Sequence, residues 1–267
     1  MRTLCLLLAV LPIAGKGWFA DVRARGAELE AAHQWAEAAK LYQSTLDHLP
    51  ADDLNSRFWI LTSLGEVNFE RRDYAQSERW LHQADQTIRG LPADAPEHVR
   101  LLNAWGTLHL VRGNLTAAQQ ELSRAVELTV RVGRPEDHAA ALHNLAALEM
   151  NLGQASAAVA HETQALAIWQ KQLGERHYYV MKAWIGLSSA QGLLGNWRAA
   201  EESVLHALAI GESGEALANY AAVLDKLKRG KEAKAIRLRL KAPLASPPEL
   251  VDVKALMMES GPKVRSR

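Results

Sequence analysis

Cysteine is almost absent from this sequence of 267 residues, since the one cysteine, Cys5, lies close to the N-terminus. The chain beyond it therefore has no disulfide and no cysteine pair for metal or thiol chemistry. An excess of charge is also missing, because 31 basic residues stand against 30 acidic ones, for a formal net charge of +1. This balance argues against nucleic acid or an anionic membrane as a partner chosen by bulk charge.

Long apolar runs are missing outside the N-terminus. Met1 and Arg2 precede an apolar run at residues 4–14, which is shorter than the about 20 residues that a membrane-spanning helix needs. We interpret residues 1–17 as a secretory signal peptide, which predicts a periplasmic or secreted protein with no membrane span after cleavage. The alternative is an N-terminal helix with one apolar face in a cytoplasmic protein.

Motifs of catalysis are missing as well. The ten histidines include no H-E-x-x-H pair, and the chain has no Gly-rich phosphate loop and no G-x-S-x-G turn. His138 and His143 come nearest to a metal pair, but they stand five residues apart, so on a helix they face different directions. We therefore predict a protein that is not an enzyme, with no catalytic residues, no metal and no cofactor.

What the sequence does contain is an internal repeat. The stretch ALAI occurs at residues 165–168 and again at 207–210. The longer stretches GNLTAAQQELSRAVEL, GQASAAVAHETQALAI and GNWRAAEESVLHALAI align without gaps. Each begins with a turn-forming glycine and continues with helix-forming residues, which indicates a repeated pair of helices joined by a turn.

These stretches resemble the tetratricopeptide repeat, a unit of about 34 residues that keeps small side chains at its eighth, twentieth and twenty-seventh positions. Units that start at residues 19, 58, 99, 139, 181 and 214 carry small residues at all but one of these positions. They are Gly26, Gly65, Gly106, Ala146, Ser188, Ala221, Ala38, Ser77, Ala118, Ala158, Ala200, Ala233, Thr45, Ala84, Ala125, Ala165 and Ala207. The exception is Leu240 in the last unit, where no further helix needs room.

The resemblance implies an all-α protein, a right-handed α-solenoid (superhelix) of about six helix-turn-helix units over residues 18–242. Small residues recur because two antiparallel helices approach closely only where their contacts lack bulk. Residues 243–267 contain four of the nine prolines, so we predict a mobile tail there. Within the tail, residues 249–258 are expected to form a short helix that caps the last unit.

The spacing of the units suggests a subtype. The first four intervals between unit starts exceed the standard length, and the surplus follows each second helix. We therefore expect second helices about one turn longer than usual. Gly90, Gly133 and Gly174 are expected at their C-terminal ends, and Pro96 and Pro135 in the first turn of the next helix. With the segment QLGERH at residues 172–177, these features resemble the kinesin-light-chain type of tetratricopeptide repeat.

In that family the first helices line a concave groove, and the resemblance implies a scaffold that binds a partner peptide or protein there. The residues that it places in this groove are Trp59, Phe69, Arg100, Asn103, His143, Asn144, Lys182 and Asn219. The asparagines stand out because a carboxamide can pair with the backbone of an extended peptide. The alternative for them is hydrogen bonding to solvent or within the array.

A second hypothesis for the whole protein is a structural module that self-associates. Its convex face or its ends would then form the contact. Trp80, Trp169 and Trp197 lie in the second helices or just after them, and this hypothesis expects them to be exposed.

Overall fold

The computed structural model describes residues 17–32, 34–132 and 134–241. The predicted signal peptide and the predicted capping helix at residues 249–258 lie outside the described residues. The described part contains twelve α-helices. They are α1 (Trp18–Ala31), α2 (Trp35–His48), α3 (Leu54–Glu70), α4 (Tyr74–Ile88), α5 (Pro96–Val111), α6 (Leu115–Val132), α7 (Pro135–Asn151), α8 (Ala155–Leu173), α9 (Tyr178–Leu193), α10 (Trp197–Ile210), α11 (Gly214–Lys226) and α12 (Gly230–Lys241).

Consecutive helices pack against one another in pairs, from α1 with α2 to α11 with α12. This arrangement confirms the predicted all-α fold of helix-turn-helix units. The chain divides into two compact units. Of the described residues, 17–89 belong to the first unit, with α1 to α4, and 90–241 belong to the second, with α5 to α12. In the second unit the first helices of successive pairs also touch, α5 with α7, α7 with α9 and α9 with α11.

In the five pairs from α3 with α4 to α11 with α12, the turn inside the pair has one residue in the left-handed region. Gly113, Gly153 and Gly195 adopt it with φ of 76°, 74° and 76°, a conformation that glycine reaches without steric cost. Arg72 and Lys228 occupy the equivalent place between α3 and α4 and between α11 and α12, both with φ of 61°. The glycines that marked the repeat in the sequence therefore mark this turn.

Side chains at the helix starts explain where several helices begin. Asp53, Asp73 and Ser213 each accept a hydrogen bond from a backbone N–H three residues later, at 3.1 Å, and so cap α3, α4 and α11. Pro96 and Pro135 are the first residues of α5 and α7, as predicted, because proline lacks the N–H that a first turn leaves unpaired.

The predicted lengthening of the second helices is confirmed only in α6 and α8, which have 18 and 19 residues. It is wrong for α2 and α4, which have 14 and 15 residues. Much of the surplus instead lengthens the first helix of the following unit at its N-terminal end. The Asp53 cap starts α3 at residue 54, before the predicted unit start at 58, and Pro96 starts α5 at residue 96, before the predicted start at 99.

The predicted glycine caps of the second helices have different outcomes. Gly174 ends α8 with a positive φ of 86°, so this cap is confirmed. The helix α4 ends before Gly90, with Arg89 as its cap residue in a right-handed conformation. Gly133 lies outside the described residues.

The small residues at the predicted contact positions are all buried, whereas Leu240 is 36% exposed. Close approaches show the reason. A Cβ added to Gly26 would overlap the Tyr42 hydroxyl, and a Cβ added to Gly65 would stand 2.6 Å from Leu81 Cδ2. Glycine at the eighth position therefore makes room for the bulky residue at the twenty-fourth position of the same unit.

The prediction that the Trp169 side chain is exposed is wrong. Trp169 is 2% exposed and packs with Leu142, Leu166, Val180 and Leu187 between α7, α8 and α9. Because α8 is long, its last turns reach the start of α9, where the Trp169 ring stacks on Tyr179 with a centroid distance of 5.2 Å. Trp80 and Trp197 are partly exposed.

Candidate functional site

The predicted groove residues are all partly exposed, but they divide between the two units. Trp59 and Phe69 lie on α3 of the first unit. The other six lie on the first helices of the second unit, and they are Arg100, Asn103, His143, Asn144, Lys182 and Asn219. We call the face of α5, α7, α9 and α11 that carries these six residues the first-helix surface.

In the first unit, Trp59 is the centre of an aromatic cluster. Its ring meets Phe19 and Tyr42 edge to face, with a centroid distance of 5.5 Å to each. The Arg23 guanidinium carbon lies 5.1 Å from the Trp59 ring centroid, within the range of a cation–π contact. Phe69 lies near the other end of α3 and is not part of this cluster.

On the first-helix surface, two of the predicted asparagines contact each other. Asn144 Nδ2 of α7 donates a hydrogen bond to Asn103 Oδ1 of α5 at 3.1 Å. Among the described residues, Asn103 Nδ2 and Asn144 Oδ1 have no hydrogen-bond partner. A carboxamide has two donors and an acceptor with two lone pairs, so the pair links two repeats and still presents a donor and an acceptor.

Asn219, the third asparagine, is used within the array. Its Nδ2 donates to Ser189 Oγ at 2.7 Å, and its Oδ1 accepts from Ser188 Oγ at 2.9 Å. Both serines belong to α9, so Asn219 ties α11 to the preceding first helix. For this residue the structure supports the alternative of internal hydrogen bonding.

Lys182 forms an ion pair that bridges the same two helices. Its Nζ lies 2.5 Å from Glu215 Oε2, and the side chains are 27% and 56% exposed. An exposed pair of this kind contributes about 0–1 kcal/mol, because solvent screens it. A charged group of a ligand can therefore compete with either partner.

Sequence reasoning missed Glu162, a fully buried residue of α8. His143 Nδ1 forms a hydrogen bond with Glu162 Oε2 at 3.1 Å. The same nitrogen lies 3.0 Å from Oε1, but without hydrogen-bond geometry, so Oε1 has no hydrogen-bond partner among the described residues. The carboxyl group also rests on Gly186 of α9, where an added Cβ would stand 2.5 Å from the Glu162 carboxyl carbon.

A signal for Glu162 was present in the repeat alignment. It stands at the twenty-fourth position of its unit, where the other units that can be aligned have Tyr42, Leu81, Leu122 and Val204, all buried. One charged residue in an otherwise apolar column marks a site that packing alone does not explain. The neighbour in contact with it, Gly186 of the next unit, is visible only in the structure.

Burial controls the ionisation of Glu162. Desolvation raises the pKa of its carboxyl above the ordinary value of 4.5, and this effect outweighs the opposing effects of His143 and Lys182. The Glu215 carboxylate acts in the same direction as burial.

A second histidine–glutamate pair joins α7 and α8, with the glutamate on α7 and the histidine on α8. His161 Nδ1 lies 2.9 Å from Glu149 Oε2.

We expect the free energy of unfolding to contain a part that declines as the pH rises above 4.5. A carboxyl whose pKa is raised by folding stabilises the protein in its neutral form, and this contribution is lost as the pH passes through the raised pKa. Replacing Glu162 with Gln should remove this decline, because the amide stays neutral. Urea unfolding of the wild type and of the Glu162→Gln variant between pH 4.5 and about pH 7 measures this decline in the free energy of unfolding.

Burial also raises the pKa of the Asp137 carboxyl. This group is unchanged in the Glu162→Gln variant, so its effect cancels when the two proteins are compared. Equal slopes of stability against pH in the two proteins would contradict the prediction.

In the part of the chain that the structure describes, no group of three or more His, Cys, Asp or Glu side chains is arranged to hold a metal ion. None of the helices in this part combines the length and the apolar character that crossing a bilayer requires.

Comparisons with known proteins agree with the helix-pair architecture. Residues 137–213 match the tetratricopeptide repeat family. No curated protein matches the chain. Among solved structures, BtubC (BKLC) from P. vanneervenii is 17% identical with a TM-score of 0.60, covering 90% of this chain and 96% of that one. Kinesin-light-chain TPR-like repeats of Podosopora anserina are 20% identical with a TM-score of 0.53, covering 72% and 94%.

A third similar structure contains a bound factor. It is a Rap protein complexed with competence and sporulation factor, 14% identical with a TM-score of 0.66, and the match covers 92% of this chain and 78% of that one. At such low identity these likenesses show a common fold of paired helices.

Proposed function

We propose that this chain, in which residues 137–213 match the tetratricopeptide repeat family, is a non-catalytic scaffold that binds a partner peptide or protein on the first-helix surface. The observation that carries the proposal is the Asn103–Asn144 pair. Its partly exposed carboxamides present a donor and an acceptor without partners among the described residues. An extended peptide backbone offers the complementary N–H and C=O groups.

The neighbouring groups on this surface suit a peptide ligand. Lys182 and Glu215 form an exposed, weak ion pair, so a charged side chain of the ligand can displace one partner at little cost. A peptide that becomes ordered on binding loses conformational entropy, so we expect an affinity of about 1 μM, or roughly −8 kcal/mol.

The solved structures support this proposal in general terms. The Rap protein that shares the fold is complexed with competence and sporulation factor, and we propose a bound peptide or protein for this chain as well. We also propose the kinesin-light-chain type for the repeats. It is supported by the long α6 and α8 and by the fold shared with the kinesin-light-chain repeats of Podosopora anserina.

Replacing both Asn103 and Asn144 with Ala should weaken peptide binding about tenfold, because two hydrogen bonds of about 0.5–1.5 kcal/mol each are lost. The probe is a set of peptides selected from a random phage-displayed library on the full chain, with dissociation constants measured by fluorescence anisotropy. Asn151→Ala is the matched control, since Asn151 is exposed on α7 and, among the described residues, bonds only to its own helix, at Ala147 O. Unchanged binding by the double variant would place the site elsewhere.

We further propose that the protein is exported. The charged and apolar pattern of residues 1–14 supports this. N-terminal sequencing of the protein recovered from its native cells should find a start near residue 17, and an intact Met1 would contradict export by cleavage.

A further inference from the structure

The carboxyl group of Glu162 lies immediately beneath the first-helix surface. From the second helix α8 it reaches His143 of α7 and Gly186 of α9, which are residues of two neighbouring first helices. The His143 side chain is 21% exposed, so its ring contacts this buried carboxyl and also meets the surface where a ligand would bind.

The buried carboxyl group of Glu162 does not serve the stability of the fold. A buried carboxylate is costly unless both oxygens have donors, and Glu162 Oε1 has none among the described residues. The same position of other units holds Leu81, Leu122 or Val204, so an apolar side chain would satisfy the packing.

Among the described residues that act on the Glu162 carboxyl, the one permanent cation, Lys182, is shared with a second carboxylate, Glu215. His143 on α7 is charged only when it is protonated. Lys182 on α9 is hydrogen-bonded to Glu215 on α11. With a neutral imidazole and an ionised Glu162, these four groups comprise two carboxylates and one ammonium, so the cluster attracts a cation. The described residues around it do not form a metal-binding group, which favours an organic cation.

We propose that His143, Glu162 and Gly186 form a subsite for a basic side chain, an arginine or a lysine, of the peptide that binds the first-helix surface. The His143 ring turns aside, and the guanidinium or ammonium group donates to Glu162 Oε1. Gly186 is required because any Cβ there would displace the carboxyl group. Arginine is preferred, because its planar guanidinium is more weakly hydrated and donates two parallel hydrogen bonds to a carboxylate. This inference rests on the proposed peptide-binding function.

The test compares peptides selected from a random phage-displayed library by three full-length proteins, namely wild type, Glu162→Gln and Glu149→Gln. Glu149 is the matched control, because it is also a nearly buried carboxylate paired with a histidine across α7 and α8, but its partner is His161. Wild type and Glu149→Gln should enrich arginine or lysine at one peptide position. Glu162→Gln should lose this enrichment.

A second measurement does not require any protein variant to fold. In a selected peptide, replacing the enriched basic residue with Gln should weaken binding to wild type at least tenfold, the effect expected of a charge-assisted hydrogen bond. NMR of ¹⁵N-histidine protein should show the His143 ring signal shifting with the basic peptide and not with its Gln analogue. Affinity for the basic peptide should also rise with pH as Glu162 ionises, while affinity for the analogue should not.

The outcomes separate this inference from the proposed function. Peptides that bind through Asn103 and Asn144 but show no basic preference, or keep that preference with Glu162→Gln, overturn the subsite and leave the scaffold proposal standing. The failure of wild type to select any peptide overturns both. An unmoved His143 signal on binding of the basic peptide overturns the subsite alone.

Discussion

Replacing Trp169 with alanine is expected to lower the free energy of unfolding of the second unit by about 3–5 kcal/mol. Trp169 is 2% exposed and lies where three helices meet, in contact with Leu142, Leu166 and Leu187. The stacked Tyr179 ring would lose its partner as well. Because α7, α8 and α9 are held by one another, they cannot close around the cavity, so most of the lost contact energy is not recovered.

Urea unfolding followed by far-ultraviolet circular dichroism measures this loss. The control is Trp197→Ala, which removes the same side chain from a partly exposed position of the same unit, with Lys226 Nζ 5.5 Å from its ring. We expect that variant to lose about 1 kcal/mol. Similar losses in both variants would show that Trp169 is not the centre of the core.

Replacing Ala158 with leucine should cost about 3 kcal/mol, the upper end of the range for overpacking. Ala158 of α8 is fully buried and packs against Ala146 of α7 and Ala190 of α9, each with 0% exposure. Small residues of three helices therefore meet at this place. A leucine side chain has no space there, so it must separate the helices or adopt a strained rotamer.

The matched control for this variant is Ala160→Leu, at an exposed position of the same helix. It should change the free energy of unfolding by at most about 0.5 kcal/mol, since it adds apolar surface without a clash. Thermal unfolding of the two variants makes the comparison. If Ala158→Leu unfolds at the temperature of its control, close helix contact at small residues does not determine the fold.

The contact positions of the helix pairs were predictable because each depends on local chemistry that is repeated along the chain. Ala158 and Ala200 stand at the same position of two successive repeats, and a small buried residue at this position indicates that two helices approach closely there. The turns were visible for the same reason, since Gly113, Gly153 and Gly195 satisfy one backbone requirement at equivalent places. Errors occurred where a neighbouring element decided the outcome. Trp169 is buried because the long α8 reaches α9.

The candidate site was predictable only in part. The repeat register placed Asn103, Asn144 and Asn219 on first helices, and the structure separates their roles. Asn103 and Asn144 contact each other and keep unpartnered groups among the described residues, whereas Asn219 is occupied by two serines of α9. Asparagines at similar positions of different repeats thus differ in whether their carboxamides are available to a ligand, because the residues on the adjacent helix differ.

By itself, the sequence determined the all-α class, the succession of helix pairs and the small side chains between them, because these follow from periodicities within single repeats. Only the tertiary structure decided which polar groups of different helices meet, such as Asn144 with Asn103 in the neighbouring repeat and Glu162 with His143 in its own repeat. It also revealed the contact of Glu162 with Gly186. The physical reason is that a hydrogen bond or a buried charge depends on the distance and orientation of groups from different helices, which no pattern along one helix records.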